Sequence, residues 1–185
     1  MGSNIIPFFL EIVTSIEIFG FYVLADKIKG AALIILNPIY QSVFPRMCHV
    51  VKQKSYISYL KKYSIFIIFI ILIICSFIFI LINQIISNYI GPDYQTSSAL
   101  VKLMIPSIIM SSIISIMLYF ILIPFDLNKE LMKVSIINFA VILIISYPII
   151  SLLNSYGAVL VLTISDFLFI VFYLNIIFKN KLLKN

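Results

Sequence analysis

The sequence predicts an all-α integral membrane protein, with five full transmembrane helices and one partial helix at the N-terminus. Its 185 residues are 63% hydrophobic and 11% charged, whereas soluble domains are about half apolar and about a quarter charged. Long apolar segments recur along the chain, and in lipid a lone apolar segment satisfies its backbone as a helix but not as a strand. We therefore expect residues 1–185 to form a single helical membrane domain.

The spans follow from the apolar segments and from the turn-forming sequences GPDYQTSS, PFDLNKE and NSYG between them. The clearest is residues 63–82, which contain no charge, glycine or proline. A lone helix of about 20 such residues is long enough to cross a bilayer. The other full spans are predicted at residues 18–44, 98–123, 134–153 and 158–178, and residues 5–16 resemble the end of a span whose beginning is missing.

Basic residues favour one orientation of these spans. They concentrate in the loop after residue 44, in the loop near residues 126–133 and in the C-terminal tail, which lie on one side if the five full spans alternate. Because cytoplasmic loops are enriched in Lys and Arg, we predict that this side and the C-terminus are cytoplasmic. The basic residues of this side are Arg46, Lys52, Lys54, Lys61, Lys62, Lys129, Lys133, Lys179, Lys181 and Lys184.

Composition and motifs argue against several classes of function. The formal net charge is +6, but the basic residues do not cluster with aromatic residues on a polar surface, so we expect no nucleic-acid partner. One histidine and two distant cysteines, Cys48 and Cys75, favour neither a metal site nor a disulfide. Motifs such as GxSxG, HExxH, the P-loop and GxGxxG are absent from the sequence. We therefore predict neither an enzyme nor a cofactor.

The first full span carries a polar stripe. Asp26, Lys27 and Lys29 lie near its start, and Asn37 and Gln41 lie further along. At 100° per residue, the charged, amide and tyrosine side chains of this segment fall within an arc of about 160°, opposite an aliphatic face. One interpretation is structural, with the lysines reaching the membrane surface and Asp26 paired with Lys29. The other is a water-filled cavity, which also accounts for Asn37, an amide too short to reach the surface.

Three further residues are unusual for their positions inside predicted spans. Pro38 predicts a kink in the first full span. Lys102 lies about one turn into the span at residues 98–123, and the serines that follow it are interpreted mainly as sites of helix packing or local backbone hydrogen bonding. Asp166 lies well inside the last span, where we expect either a cavity residue or a partner for a lysine. Lys102 and Asp166 therefore join the candidate cavity residues.

Four short motifs occur in order along the chain. They are GFYVLADKI at residues 20–28, QSVFPR at 41–46, IGPDY at 90–94 and NSYGAVLVLTISD at 154–166. Together they resemble the second half of the polysaccharide flippases, including O-antigen flippases, of the multidrug/oligosaccharidyl-lipid/polysaccharide exporter superfamily. Asp26 stands where Glu is commoner in that family, Pro92 replaces an acidic residue, and Val161 replaces a small one.

This resemblance implies a transporter of about twelve helices in two bundles, of which the chain would be the second. It implies translocation of an undecaprenyl-diphosphate-linked oligosaccharide, such as an O-antigen unit, across the bacterial inner membrane. By resemblance, Lys27 and Lys102 would meet the diphosphate, Asn37, Gln41 and the tyrosines would meet sugars, and the carboxylates would serve proton or sodium coupling. The expected partners are the lipid-linked oligosaccharide, membrane lipid, the missing first half and the polysaccharide polymerase machinery.

Two other functions remain open at this point. A drug or cation antiporter of the same superfamily is one, although a cavity for cations should be richer in acidic residues than this sequence suggests. A truncated membrane protein that transports nothing is the other, because half of a transporter cannot enclose a cavity between two bundles.

Overall fold

A computed structural model describes residues 5–53, 55–180 and 182 of the chain. The described residues are mostly helical and include no strand, which confirms the predicted all-α fold. Lys54, Lys181 and Lys184, which contribute to the predicted orientation, lie outside the described residues. The α-helices are α1 (Ile5–Val13), α2 (Ile16–Ile34), α3 (Asn37–Val50), α4 (Tyr56–Ile85), α5 (Gln95–Met117) and α6 (Asn128–Lys179).

Three helical segments in the described part are long and apolar enough to cross a membrane, judged by length and composition. They are Tyr56–Ile90, which extends α4, Pro92–Leu122, which contains α5, and Asn128–Lys179, which is α6. Along the middle of α4, the outward surface is mostly aliphatic and aromatic. Ile65, Phe69 and Ile80, for example, are all more than 60% exposed. Such a surface suits contact with lipid acyl chains, as expected of an integral membrane protein.

The segment predicted as one span from residue 18 to 44 is divided into two helices in the structure. α2 ends at Ile34 and α3 begins at Asn37. Pro38 lies in the first turn of α3 and has no backbone N–H, so the helical hydrogen-bond ladder is interrupted there. The N–H of Leu36 donates instead to the carbonyl of Leu33, which is three residues earlier rather than four, at 3.1 Å. The break therefore lies beside the proline that predicts a kink.

α6 is a hairpin of two antiparallel halves, residues 128–153 and 155–179. Asn154, at the turn, has φ 51° and ψ −131°, which is not helical. The two halves lie so close at the turn that a Cβ atom on Gly157 would be 2.5 Å from the carbonyl oxygen of Ile149. Only glycine allows this approach, because it has no side chain. The turn falls within the sequence NSYG.

α4 and α5 are connected by a tight reversal of the chain. α4 continues into a π-helical turn over Ile86–Ile90, and Gly91 then takes a φ of 131°, which favours glycine. The N–H of Gly91 donates to the carbonyl of Ile86 at 2.9 Å and closes the turn. This arrangement brings α5 back against α4, so the two helices run antiparallel and pack together.

Buried apolar side chains form two separate cores. The first, here called the α1-side core, includes Ile6, Leu10, Tyr22, Ala25, Met104, Ile142, Ala158 and Leu162. The second, here called the α3-side core, includes Ala32, Leu36, Tyr40, Met47, Ile67, Ile108, Phe120 and Tyr173. Both cores draw on α2, α4, α5 and α6, so each of these helices passes from one core to the other.

Candidate functional site

A polar cluster lies where the helices pass from the α1-side core to the α3-side core. α2 contributes Lys29, α5 contributes Ser107 and Ser111, and the second half of α6 contributes Asp166. On α2, Lys29 lies between Ala25 of the α1-side core and Ala32 of the α3-side core. On α5, Ser107 lies between Met104 and Ile108, and on α6, Asp166 lies between Leu162 and Tyr173. The cluster therefore interrupts an otherwise apolar interior.

The members of the cluster are joined by direct polar contacts. The Lys29 Nζ atom donates to the Ser107 Oγ atom at 2.8 Å and lies 3.8 Å from the Asp166 Oδ2 atom. The hydroxyl of Ser107 donates in turn to the Asp166 carboxylate. Ser111 donates to the same Oδ2 atom at 3.1 Å. One carboxylate oxygen thus accepts two hydroxyl groups and faces an ammonium group.

The ion pair is buried inside the bundle. The side chains of Lys29 and Asp166 are 10% and 15% exposed. Isolated charges are costly inside a membrane protein, and such residues are found with partners. The Asp166 carboxylate loses hydration free energy when it is buried. Hydrogen bonds from two hydroxyls and the opposite charge of Lys29 together offset that cost. The cluster therefore ties α2, α5 and α6 to one another.

A cavity of about 390 Å³ lies beside the ion pair. Asp26 also lines it and makes no ion pair or hydrogen bond with any other described residue. With Asp26, Lys29 and Asp166 all ionised, the lining carries a formal charge of −1. The lining residues are Ile6, Asp26, Lys29, Gly30, Leu33, Ser111, Ile114, Ser115, Leu162, Ser165, Asp166 and Phe169.

Two polar groups near this site are buried without a hydrogen-bond partner in the described part of the chain. They are the Tyr22 hydroxyl and the side-chain oxygen of Asn138. The amide nitrogen of Asn138 does donate, at 2.9 Å, to Ser165, which lines the cavity. This bond connects the two halves of α6 and fixes the position of Ser165.

The structure brings together three of the seven residues predicted for the cavity. Asp26, Lys29 and Asp166 all line it. Asp166 is both a cavity residue and the partner of a lysine, the two possibilities that the sequence leaves open. Lys29 lies closest to Asp166 rather than pairing with its neighbour Asp26.

The other four predicted residues lie elsewhere. Lys27 on α2 and Asn37 and Gln41 on α3 are exposed at the surface of the chain. The Lys102 Nζ atom lies 5.4 Å from the centre of the Phe79 ring on α4. None of the four lines the cavity. The polar arc predicted as one wall is therefore divided between the interior and the exposed surface.

The tyrosines of the arc pack inside the bundle. Tyr22 is fully buried in the α1-side core. Tyr40 belongs to the α3-side core, stacks on Tyr119, and its hydroxyl donates to the carbonyl of Ser112 at 3.3 Å. Tyr22 and Lys29 are seven residues apart, so they share the face of α2 that packs against the bundle. In the structure these tyrosines are packing residues and do not line the cavity.

Ser107 and Ser111 belong to the candidate site, whereas the sequence interpretation assigns the serines of this helix mainly to helix packing or local backbone hydrogen bonding. The expectation of local backbone bonding holds for Ser112 and Ser115, which donate to carbonyls one turn back in α5. Ser107 and Ser111 instead donate to Asp166. Their spacing of four residues places both hydroxyls on one face of α5. That spacing is the signal that points to a shared partner.

The described part of the chain contains no group of three or more His, Cys, Asp or Glu side chains placed to hold a metal ion. Cys48 is exposed and Cys75 is buried, and both are free thiols. The polar groups of the cavity are instead two carboxylates, one ammonium and several hydroxyls. Such groups bind ions and hydroxyl-bearing molecules by electrostatic attraction and hydrogen bonding.

Comparison with known proteins gives this site a context. The chain is 31% identical over 153 residues to a protein of Shigella dysenteriae described as a candidate O-antigen transporter. The alignment covers 81% of this chain and 38% of the relative, so the chain spans well under half of the relative's length. The chain is related to a membrane transporter. No protein-family profile and no solved structure matches it. The description of that relative names transport of O-antigen.

Proposed function

We propose that the chain forms part of a bacterial inner-membrane transporter that moves an undecaprenyl-diphosphate-linked oligosaccharide, such as an O-antigen unit, from one leaflet to the other. The observation that carries this proposal is the similarity over 153 residues to a candidate O-antigen transporter. The polar cavity among apolar helices agrees with it, because a bundle that serves only as an anchor has no need of charged groups in its interior.

The substrate path in this proposal follows the exposed polar surface of α2 and α3, formed by Lys27, Asn37 and Gln41. An ammonium group and two amides are costly in contact with lipid, so this surface faces water. A second helical bundle would close the path, in line with the greater length of the relative. Lys27 would attract the diphosphate, and the amides would hydrogen-bond to sugar hydroxyls.

The buried cluster has a different role in the proposal. The Lys29 ammonium is already engaged by Asp166 and Ser107, so it holds three helices together and is not free to take a diphosphate. Asp26 has no such engagement and lines the cavity, where its carboxylate is suited to proton or sodium coupling. Lys102 contacts Phe79 on α4 and is not assigned to the diphosphate.

The cavity favours one alternative, a drug or cation antiporter. Its two carboxylates and single ammonium give a formal charge of −1, which attracts cations and repels phosphates. The two functions differ in which surface meets the substrate. A flippase for a diphosphate depends on Lys27 on the exposed surface, whereas a cation antiporter depends on Asp26 in the cavity.

Deletion of the gene in its native cell tests the proposal. Loss of the transporter should remove surface polysaccharide and leave lipid-linked oligosaccharide in the inner leaflet, and the native gene should restore export. Removing a hydrogen bond to a charged group costs about 1.5–3 kcal/mol, so Lys27→Ala should lower export about 10- to 140-fold. Lys27→Arg should retain some export.

The matched control is Ile35→Ala, an exposed aliphatic position eight residues after Lys27, which should export normally. Protein amounts in the membrane are compared by immunoblot for every variant. Unchanged surface polysaccharide after deletion, together with new sensitivity to cationic dyes, would reject the flippase and support the antiporter.

A further inference from the structure

An open groove of about 360 Å³ lies between α4 and α5, on a different pair of helices from most of the cavity lining. α4 contributes five lining residues between Leu72 and Ile80, including Phe79, and α5 contributes Ile105 and Ile109. Apart from one serine and one cysteine, these side chains are apolar. The volume lies within the range of about 300–1,000 Å³ found for sites that hold small molecules.

A lysine lies at one end of this groove. Lys102 and Ile109 are seven residues apart on α5, so they fall within about 20° of one another on the same face and about 10 Å apart along the axis. The Lys102 Nζ atom lies 5.4 Å from the centre of the Phe79 ring, and Phe79 is a groove residue. The groove therefore runs from a cationic end near the start of α5 into an apolar interior.

Lys102 lacks an anionic partner among the residues that the structure describes. It lies seven residues, or about 10 Å, from the start of α5 at Gln95, and a lysine at this depth extends toward the membrane surface while its methylene groups stay in apolar surroundings. An anion bound at the mouth of the groove would neutralise the ammonium. If that anion carries an apolar chain, the chain would lie in the groove below Lys102.

We propose that this groove binds an anionic phospholipid, with the phosphate on Lys102 and one acyl chain between α4 and α5. A cation at the membrane surface above an apolar slot matches the order of phosphate and acyl chain in such a lipid. One lysine matches one phosphate charge, which favours a phospholipid over a diphosphate at this position. The outward face of α4 near Ile65 and Phe66 is also apolar and also has a lysine, Lys62, at its edge, but it is lined by α4 alone, without a second helix as a wall.

Native mass spectrometry of the full chain, titrated with dioleoyl phosphatidylglycerol or dioleoyl phosphatidylcholine, tests the site. The anionic lipid should bind about five-fold more tightly, the contribution of one lysine near an anionic headgroup. Lys102→Gln should remove this preference and Lys102→Arg should keep it. Lys62→Gln, a lysine near the other end of α4, is the matched control and should keep it. Equal binding of the two lipids to the native chain, or loss of the preference in the Lys62 variant alone, would overturn the proposal.

Photo-crosslinking locates the acyl chain independently of charge. Phosphatidylglycerol with a diazirine on one acyl chain should crosslink mainly to residues 72–80 and 105–109, and Ile109→Trp should reduce these crosslinks by filling the groove. Crosslinks spread evenly over α4 in both proteins would contradict the site. Displacement of the phosphatidylglycerol by an equal amount of undecaprenyl phosphate would also overturn the assignment, because the occupant would then be a polyprenyl lipid.

Discussion

Lys27 and Lys29 are two residues apart on α2, yet they lie in opposite surroundings. The Lys29 side chain is 10% exposed and engages Asp166 and Ser107 inside the bundle. Lys27 is exposed and has no ion-pair partner in the described part of the chain. Two residues correspond to about 200° of rotation around a helix, so the two ammonium groups point to opposite sides. Burial, rather than the presence of a charge, therefore separates a structural lysine from a candidate substrate lysine.

The same contrast separates the exposed surfaces of α3 and α4. α3 exposes Asn37 and Gln41, whereas α4 exposes residues such as Phe66 and Ile73. Both surfaces are exposed in the isolated chain, but only the aliphatic one suits lipid. We therefore assign water to the polar surface and lipid to the apolar one.

The largest effect is expected from removal of the buried lysine. Lys29→Ala leaves the Asp166 carboxylate buried without its counter-charge, which typically costs about 3–5 kcal/mol. Lys27→Ala removes an exposed charge and should change the free energy of unfolding by less than about 0.5 kcal/mol. Thermal unfolding of the full chain in detergent, followed by circular dichroism, measures both. Equal losses in the two variants would show that Lys29 and Lys27 do not differ in their surroundings.

A smaller net effect is expected when both charges of the pair are removed. Replacing a buried ion pair with apolar residues of similar volume is often neutral or stabilising. Lys29→Met with Asp166→Leu should therefore recover most of the stability that Lys29→Met alone loses. The double-mutant cycle should show strong coupling. Additive losses would mean that the two side chains do not interact as the 3.8 Å separation indicates.

The turn of the α6 hairpin offers a test of how closely its two halves pack. A methyl group at Gly157 would meet the Ile149 carbonyl oxygen at 2.5 Å, so Gly157→Ala should cost about 1–3 kcal/mol through overpacking. Gly20→Ala is the control, because no atom lies within 4 Å of the added carbon, and it should be neutral or stabilising. A neutral Gly157→Ala variant would show that the hairpin does not need this close approach.

The sequence predicts much of the fold because its signals are local. Uninterrupted apolar segments, Pro38 and the NSYG sequence all act on neighbouring residues, and they lie in helices, at a break and at a turn in the structure. The Lys29–Asp166 pair is different, because it depends on which faces of α2 and α6 meet. A helical wheel places Lys29 and Lys27 at the two ends of one arc of about 160°, but it does not show that the bundle packs against the end formed by Tyr22, Ala25 and Lys29.

The contrast between the two exposed surfaces is tested most directly by thiol accessibility in membranes. In a Cys48→Ser, Cys75→Ala background, which removes both native thiols, single cysteines replace Asn37 and Gln41 on α3, and Phe69 and Ile73 on α4. All four positions are exposed in the structure, and a thiol reacts with a water-soluble maleimide only where water allows it to ionise. We predict labelling at Asn37 and Gln41 and protection at Phe69 and Ile73. Equal labelling at all four positions, or protection at both α3 positions, would contradict the proposed polar path along α2 and α3.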